Sequence, residues 1–331
     1  VTAALVDGYD AALFDLDGVV YLGPVAVEGA PEGLAELRRR GVALGYVTNN
    51  AARSPGVVAE HLVSLGVPAR PEDVVTSAQA AARLLRERFG AGARVLAVGG
   101  EGVLAALAEQ DLVALRSADD DPVAVIQGFG FALAWQELNE AAIAINRGAH
   151  WVATNDDPTR PTDRGLVPGN GAAVAAVQLA VRVRPEVAGK PHRPLLDDTV
   201  RRTGAQRPVF VGDRLDTDIA GAVAAGLDSL LVLSGSHGPR DLLEAPDGSR
   251  PTHLGADLRA LLQPPREARV EGDSCAVGPL TATVEGQSIT LDGAPEDPLD
   301  PLRAAARLAW RAADAGRPLD VDAVLAVLGL G

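Results

Sequence analysis

Along the chain, short apolar runs rich in β-branched residues alternate with longer stretches dominated by Ala and Leu. The runs Ala11–Phe14, Val42–Val47, Arg94–Val98, Val123–Ile126, Trp151–Thr154, Val209–Val211 and Ser229–Leu233 predict strands, since each is short and bounded by turn-forming residues. Between them Pro31–Arg40, Pro55–Leu65, Ser77–Phe89, Trp135–Arg147, Gly171–Val181, Pro194–Thr203 and Ile219–Ala225 predict helices. Such alternation specifies an α/β fold, a parallel sheet with helices packed on both faces.

The pattern changes after Gln263-Pro264-Pro265-Arg266, which reads as a linker. Beyond it Asp273–Val277 and Leu280–Leu291 read as hairpin-like strands. A helix from about Pro298 to Ala315 and a shorter one at Asp320–Leu328 follow. The tail is therefore expected to form a small separate α+β unit. Two charged runs have structural explanations. Arg38, Arg39 and Arg40 ahead of Gly41 suit a helix end, where cations offset the dipole and glycine supplies the left-handed cap. Asp119, Asp120 and Asp121 before Pro122 read as a solvated loop ahead of a strand.

A length of 331 residues implies two or three units. With 47% hydrophobic but only 3% aromatic residues, their cores are built from Ala, Val and Leu. The net charge of −14 argues against nucleic acid or an anionic membrane as partner. An anionic substrate would then need local positive potential from a metal or a few placed cations. Cys275 is the only cysteine, which excludes an internal disulfide and makes a reducing cytoplasm the simplest setting. No signal peptide opens the chain and no apolar run has membrane-spanning length. The five histidines lack zinc-ligand spacing. Methionine is absent even at position 1, which reads as a start that was processed, trimmed or translated literally.

Candidate chemistry gathers where strands end. The first strand runs into Phe14-Asp15-Leu16-Asp17-Gly18-Val19, where alternation lets Asp15 and Asp17 face one side and Gly18 permits a sharp turn. The second ends in Thr48-Asn49-Asn50, a set of neutral donors. Val209–Val211 leads into Gly212-Asp213-Arg214-Leu215-Asp216-Thr217-Asp218. Ligands of open α/β sheets bind at the carboxyl ends of strands. Lys190, in Gly189-Lys190-Pro191, is the only lysine, against 29 arginines. A compact ammonium survives where a planar guanidinium would not serve, as where two close anions need a small bridging cation. Gly189-Lys190 is followed by proline and lacks the upstream glycine of a P-loop. Gly99-Gly100-Glu101-Gly102 and Gly128-Phe129-Gly130 are too short for a dinucleotide fingerprint and read as strand-end turns.

The segments Asp-x-Asp-Gly-Val, Thr-Asn-Asn, Gly-Lys-Pro and Gly-Asp-Arg-x-x-Thr-Asp, in that order, resemble the four motifs of the haloacid dehalogenase (HAD) superfamily. Their wording is similar to that of its type IIA phosphatases. The resemblance covers residues 8–262. It implies a HAD-type Rossmann-like parallel-sheet core over 1–77 and 188–263. A large inserted α/β cap of the C2 type would span 78–187, with a small α+β extension over 266–331. It further implies Asp15 as nucleophile, forming an aspartyl-phosphate, and Asp17 as the acid that protonates the leaving group and later draws a proton from water. Mg²⁺ would be held by Asp15, Asp213 and the Asp17 backbone carbonyl, with Asp218 orienting its waters and Lys190. Thr48, Asn49, Asn50 and Lys190 would hold the phosphoryl oxygens. An acid at position 17 points to phosphatase or phosphomutase chemistry.

The cap is expected to select the substrate. Thr154-Asn155-Asp156-Asp157 and Pro168-Gly169-Asn170-Gly171 resemble the family's cap segments, which makes Asn155, Asp157 and Asn170 candidate substrate contacts. Arg53, Arg160 and Arg164 are further candidate anion contacts, the last two reading more readily as exposed surface arginines. Gln127-Gly128-Phe129-Gly130 stands where many relatives have Val-Gly-x-Asp, which argues against recognition of pyridoxal phosphate. Within the family the resemblance is to a glycerol-3-phosphate phosphatase whose C-terminal extension is similar to part of an acetyltransferase fold. The implied substrate is thus glycerol 3-phosphate, a small phosphorylated metabolite, with nucleotide, sugar or pyridoxal phosphates as alternatives. A regulatory module on a degenerate phosphatase core is the non-enzyme alternative, opposed by the intact acids and Lys190. Assembly into a homo-oligomer would use the cap or the extension.

Overall fold

The computed structural model describes residues 3–160, 162 and 164–330. The chain divides into two compact units. One comprises Val1–Leu22, Ala26–Ala43 and Arg207–Gly331, and the other Gly23–Val25 and Leu44–Gln206.

In the first unit, four parallel strands lie in the order His253–Gly255, Asp228–Val232, Pro208–Gly212, Ala11–Asp15. Ala11 pairs with Pro208 and Phe14 with Val211, so the two strands that carry acids run side by side and end together. Both are apolar and buried along nearly their whole length, as strands covered on two faces must be. The helix Ala30–Arg39 ends with Arg38 and Arg39 in its last turn, and Gly41 adopts φ +80°, the left-handed cap read from the sequence.

The tail is an antiparallel sheet in the order Ala268–Glu271, Ser274–Val277, Leu280–Glu285, Ser288–Asp292, followed by helices Asp300–Asp314 and Val321–Leu328. Two details differ from the sequence reading. The run Leu280–Leu291 is not continuous: it folds back at Gly286, where φ is +63°, and Glu285 pairs with Ser288 across a two-residue turn. Nor does the segment after Pro264-Pro265 act as a free linker. Arg266 Nε donates to Asp300 Oδ1 at 3.1 Å and its Nη1 to Glu296 at 2.9 Å. Arg303 joins the same network through Asp297 at 2.7 Å and Asp300 at 2.9 Å, and also donates to the Leu254 carbonyl at 2.9 Å. The apolar side of the tail, with Val277, Leu280, Ile289, Leu308 and Trp310, shares one hydrophobic cluster with Leu231, Leu242, Leu243 and Leu254.

In the second unit, Tyr46, Val47 and Thr48 of the strand Ala43–Thr48 pair in parallel with Val74–Thr76. It also contains a five-stranded parallel sheet in the order Glu186–Val187, His150–Ala153, Ala124–Gln127, Arg94–Val98, Val113–Leu115. Helix Ser77–Phe89 has the bounds expected, because Thr76 and Gln79 form a reciprocal capping box and Gly90 ends it. Helix Glu101–Glu109 was hidden by the glycines read as a turn. Gly102 lies inside it, because a Cβ there would collide with the carbonyls of Ala51 and Arg53. The acidic run forms a short 3₁₀ turn, Ala118–Asp120, capped by the Ser117 hydroxyl, instead of an open loop. Among the described residues no helix is long and apolar enough to cross a membrane.

Candidate active site

In the first unit, parallel pairing brings the ends of Ala11–Asp15 and Pro208–Gly212 together, so Asp15 and Asp213 emerge at one edge. Asp213 is 1% exposed, and its Oδ2 accepts the Ser236 N–H at 2.6 Å. After it the chain enters a tight π-type turn, Leu215–Ile219, which points Asp218 back: its Oδ2 accepts the N–H groups of Asp213 and Arg214 at 3.2 and 3.1 Å. Carboxylate oxygens of Asp15, Asp213 and Asp218 all lie within 4.8 Å of one another. Three carboxylates this close repel strongly unless protonated or bridged by a cation. An all-oxygen, all-carboxylate set suits a hard divalent cation such as Mg²⁺. The residues present fit that ion.

Backbone shape keeps this cluster tight. Gly18 adopts φ +83°, and its N–H bonds the Tyr21 carbonyl at 2.8 Å. A Cβ on Gly18 would run into the Asp213 carboxylate, as would one on Gly235. Asp17 sits in this turn, exposed, and its side chain is not one of the three clustered acids.

The second unit holds the neutral and cationic candidates. Asn49, just past the strand Ala43–Thr48, is the hub. Its Nδ2 donates to Asp157 Oδ2 and to the Lys190 carbonyl, both at 3.0 Å, and its Oδ1 accepts the Lys190 N–H at 2.8 Å. Its own carbonyl accepts from Ser77 Oγ at 2.6 Å and Asn155 Nδ2 at 2.7 Å. Lys190 is 2% exposed, and its peptide bond to Pro191 is cis. Thr48 Oγ1 accepts the Asn50 N–H at 3.0 Å, and Asn50 Oδ1 accepts the Ala52 N–H at 2.9 Å, which folds the loop after the strand. Asn170 Nδ2 donates to the Asn155 carbonyl at 2.7 Å. The amide groups of Asn155 and Asn170 are thus engaged in holding loops that present Asp157 and Asn49.

Arg53 and Arg164 are exposed. Arg160, expected on the open surface, is instead half-buried, its guanidinium 4.7 Å from the Phe129 ring centroid and 5.5 Å from that of Phe131. The aromatic loop that carries these phenylalanines gives its guanidinium two ring faces to lie against. Sequence reasoning did not single out Ser234, Ser236, His237 and Ser77. Ser234 Oγ donates to the Gly18 carbonyl at 2.7 Å, and His237 Nδ1 accepts the Leu215 N–H at 2.9 Å. The signal available was position: Ser234-Gly235-Ser236-His237 follows the strand Asp228–Val232, at the same carboxyl edge as the acids.

Profiles of known families match this chain in three places. A haloacid dehalogenase-like hydrolase profile matches residues 12–113, and a HAD-hydrolase-like profile matches 187–261. A GCN5-related N-acetyltransferase-like profile matches 278–330. The D-glycerol 3-phosphate phosphatase of Mycobacterium tuberculosis is 45% identical over 95% of this chain and 90% of its own length. The chain belongs to the haloacid dehalogenase-like hydrolases. An acid sugar phosphatase of Staphylococcus aureus is 35% identical over 69% of the chain and 87% of its own length. The crystal structure of the M. tuberculosis glycerol phosphate phosphatase in complex with magnesium superimposes with a TM-score of 0.87, 42% identity, and coverage of 96% of this chain and 94% of that one. As a member of this hydrolase family the chain is an enzyme, and its α/β parallel-sheet architecture with an additional antiparallel tail is that of its matched relative.

Proposed function

We propose that this hydrolase is a magnesium-dependent phosphomonoesterase that cleaves glycerol 3-phosphate to glycerol and phosphate through an aspartyl-phosphate on Asp15. The observation that carries the reading is the close carboxylate trio of half-buried Asp15 with buried Asp213 and Asp218. It is supported by near full-length similarity to an enzyme named for that substrate. Asp15, Asp213 and the Asp17 backbone carbonyl would hold Mg²⁺, with Asp218 anchoring the loop and bound waters. When bound, the ion offsets the charge that otherwise keeps a carboxylate away from a phosphate.

Asp15, at the strand end, is the nucleophile; attack on phosphorus splits one difficult hydrolysis into two easier displacements. Asp17, exposed in the Gly18 turn, gives its proton to the departing glycerol oxygen and then takes one from the water that attacks the phosphoenzyme. Thr48, Asn49, Asn50 and Lys190 meet the charge on the phosphoryl oxygens. Asn49 is suited to positioning Lys190, because it grips the lysine's backbone on both its N–H and its C=O side. Asp157, Asn155, Asn170 and Arg53 belong to the substrate-selecting side. In this reading residues 1–77 and 188–263 are the catalytic core, 78–187 the cap and 266–331 an extension, and the enzyme works in the cytoplasm on a small free metabolite.

The test is kcat/KM over a panel of phosphate esters with and without Mg²⁺. Glycerol 3-phosphate should lead the panel, and activity should vanish in EDTA. A sugar phosphate ahead of it by tenfold or more would move the specificity toward the S. aureus relative's name, and absence of hydrolysis would remove the reading.

A further inference from the structure

Within the first unit, a cavity of about 40 Å³ lies between the edge strand His253–Gly255 and the tail helix Asp300–Asp314. Its polar lining is Arg266, Arg303, Arg307, His253 and Thr252, with Trp310 as one wall, and among the described residues no Asp or Glu lines it. That is unexpected in a chain of net charge −14. The three guanidiniums are not equivalent. Arg266 is neutralised by Asp300 and Glu296, and Arg303 by Asp297 and Asp300. Arg307, half-buried, has no carboxylate partner among the described residues; its Nη2 makes one 3.3 Å bond to the Thr252 carbonyl, and its guanidinium lies 5.2 Å from the Trp310 ring centroid.

Burial without a counter-charge lowers the Arg307 pKa. Burial also lowers that of His253, against the pull of Asp228 and aided by Arg307 and Arg303. In both groups burial is the first cause of the shift. A cation drawn from water without an anion is costly, and the ordinary remedy is a charge-assisted partner. Among the described residues no carboxylate supplies it to Arg307.

We infer that this cavity is a binding site for one small tetrahedral oxyanion of the phosphate type, held by Arg307 with His253 and Thr252 beside it. The volume is about that of three waters, room for four clustered oxygens and far too little for a nucleotide. Guanidinium presents two parallel N–H groups to such an ion. The site shares no residue with the acidic strand-end cluster, so it stands whatever ester the enzyme hydrolyses. A ligand there bridges strand and tail helix and stabilises their packing by mass action.

The experiment is calorimetric titration of inorganic phosphate into the full chain in EDTA, in a Lys190→Met background that removes the other candidate phosphate-binding cation. One phosphate per chain should bind, and adding Arg307→Gln should weaken binding by at least about tenfold, while Arg307→Lys keeps most of it. With Lys190 present, Arg307→Gln should leave hydrolysis unchanged, which also shows that it folds. A second measurement needs no variant: phosphate should slow phenylglyoxal labelling of Arg307, read by peptide mass. Titrating glycerol 3-phosphate in parallel separates a free-phosphate site from one for phosphate esters, since either ligand lost with Arg307→Gln supports the inference. Absence of binding by both, equal binding in Arg307→Gln, or labelling indifferent to both ligands would overturn it.

Discussion

Replacing Trp310 by alanine tests whether the tail shares a core with the strands Asp228–Val232 and His253–Gly255 and the helix that carries Leu242. Trp310 is 6% exposed, and its Nε1 donates to the Leu242 carbonyl at 2.7 Å. It lies in the cluster that joins Leu242, Leu243 and Leu254 to Val277, Leu280 and Leu308 of the tail. Truncating a buried tryptophan costs about 3–5 kcal/mol through lost burial and the cavity left behind. That is a large share of a fold's typical total of roughly 5–15 kcal/mol. Trp310→Phe keeps most of the packing and removes the hydrogen bond, so it should cost only about 1–2 kcal/mol. The assay is urea and thermal unfolding followed by circular dichroism, in which Trp310→Ala should lower Tm by on the order of 10 °C. Hydrolysis by the folded variant at moderate temperature should persist, because none of Asp15, Asp17, Lys190 and Asp213 is a member of this cluster. A Trp310→Ala protein within about 0.5 kcal/mol of wild type would refute the shared core and make the tail an independent appendage.

Three further outcomes are expected. Asp17→Asn should slow glycerol 3-phosphate hydrolysis about 10²–10⁴-fold but p-nitrophenyl phosphate hydrolysis much less, since nitrophenolate leaves without a proton; equal losses on both esters would remove the acid assignment. Lys190→Arg should lower kcat/KM although charge is kept, because a planar fork does not replace a compact ammonium in a site 2% exposed; near wild-type kinetics would make the lone lysine an accident of composition. His192 and Asp156, 3.8 Å apart, form an ion pair in which the neighbouring carboxylate raises the imidazole pKa and the imidazole lowers that of Asp156. The His192 contribution to stability is complete below the ordinary value of 6.5 and is lost as pH rises through its raised folded value; that of Asp156 is lost as pH falls through its lowered one. Proton NMR titration should place His192 above 6.5 and Asp156→Asn should bring it down, whereas an unmoved titration would dissolve the pair.

The acidic cluster was legible in the sequence because it sits where parallel strands end. Asp15 and Asp213 close two buried apolar strands, and Gly18 must be glycine both for its φ of +83° and for the nearby Asp213 carboxylate. Helix Ser77–Phe89 was legible to the residue because Thr76, Gln79 and Gly90 mark its ends chemically. What stayed hidden depends on tertiary contact. Gly102 looks like turn punctuation, yet it packs a helix against the Ala51 and Arg53 carbonyls. Pro264-Pro265 reports local stiffness, and nothing in it says that Arg266 will be tied to Asp300 or that the tail will cover Leu242. Ser236 and His237 carry no motif of their own; only the fold shows them fastening Asp213 and the Asp218 turn.

The central claim is that Asp15 attacks phosphorus. Its most direct test is kcat/KM for glycerol 3-phosphate in Asp15→Asn, with mass spectrometry confirming asparagine at position 15 and circular dichroism confirming the fold. An amide cannot form the acyl-phosphate, so the rate should fall by on the order of 10³-fold or more. Turnover within about tenfold of wild type in such a preparation would contradict the account and move the nucleophile elsewhere.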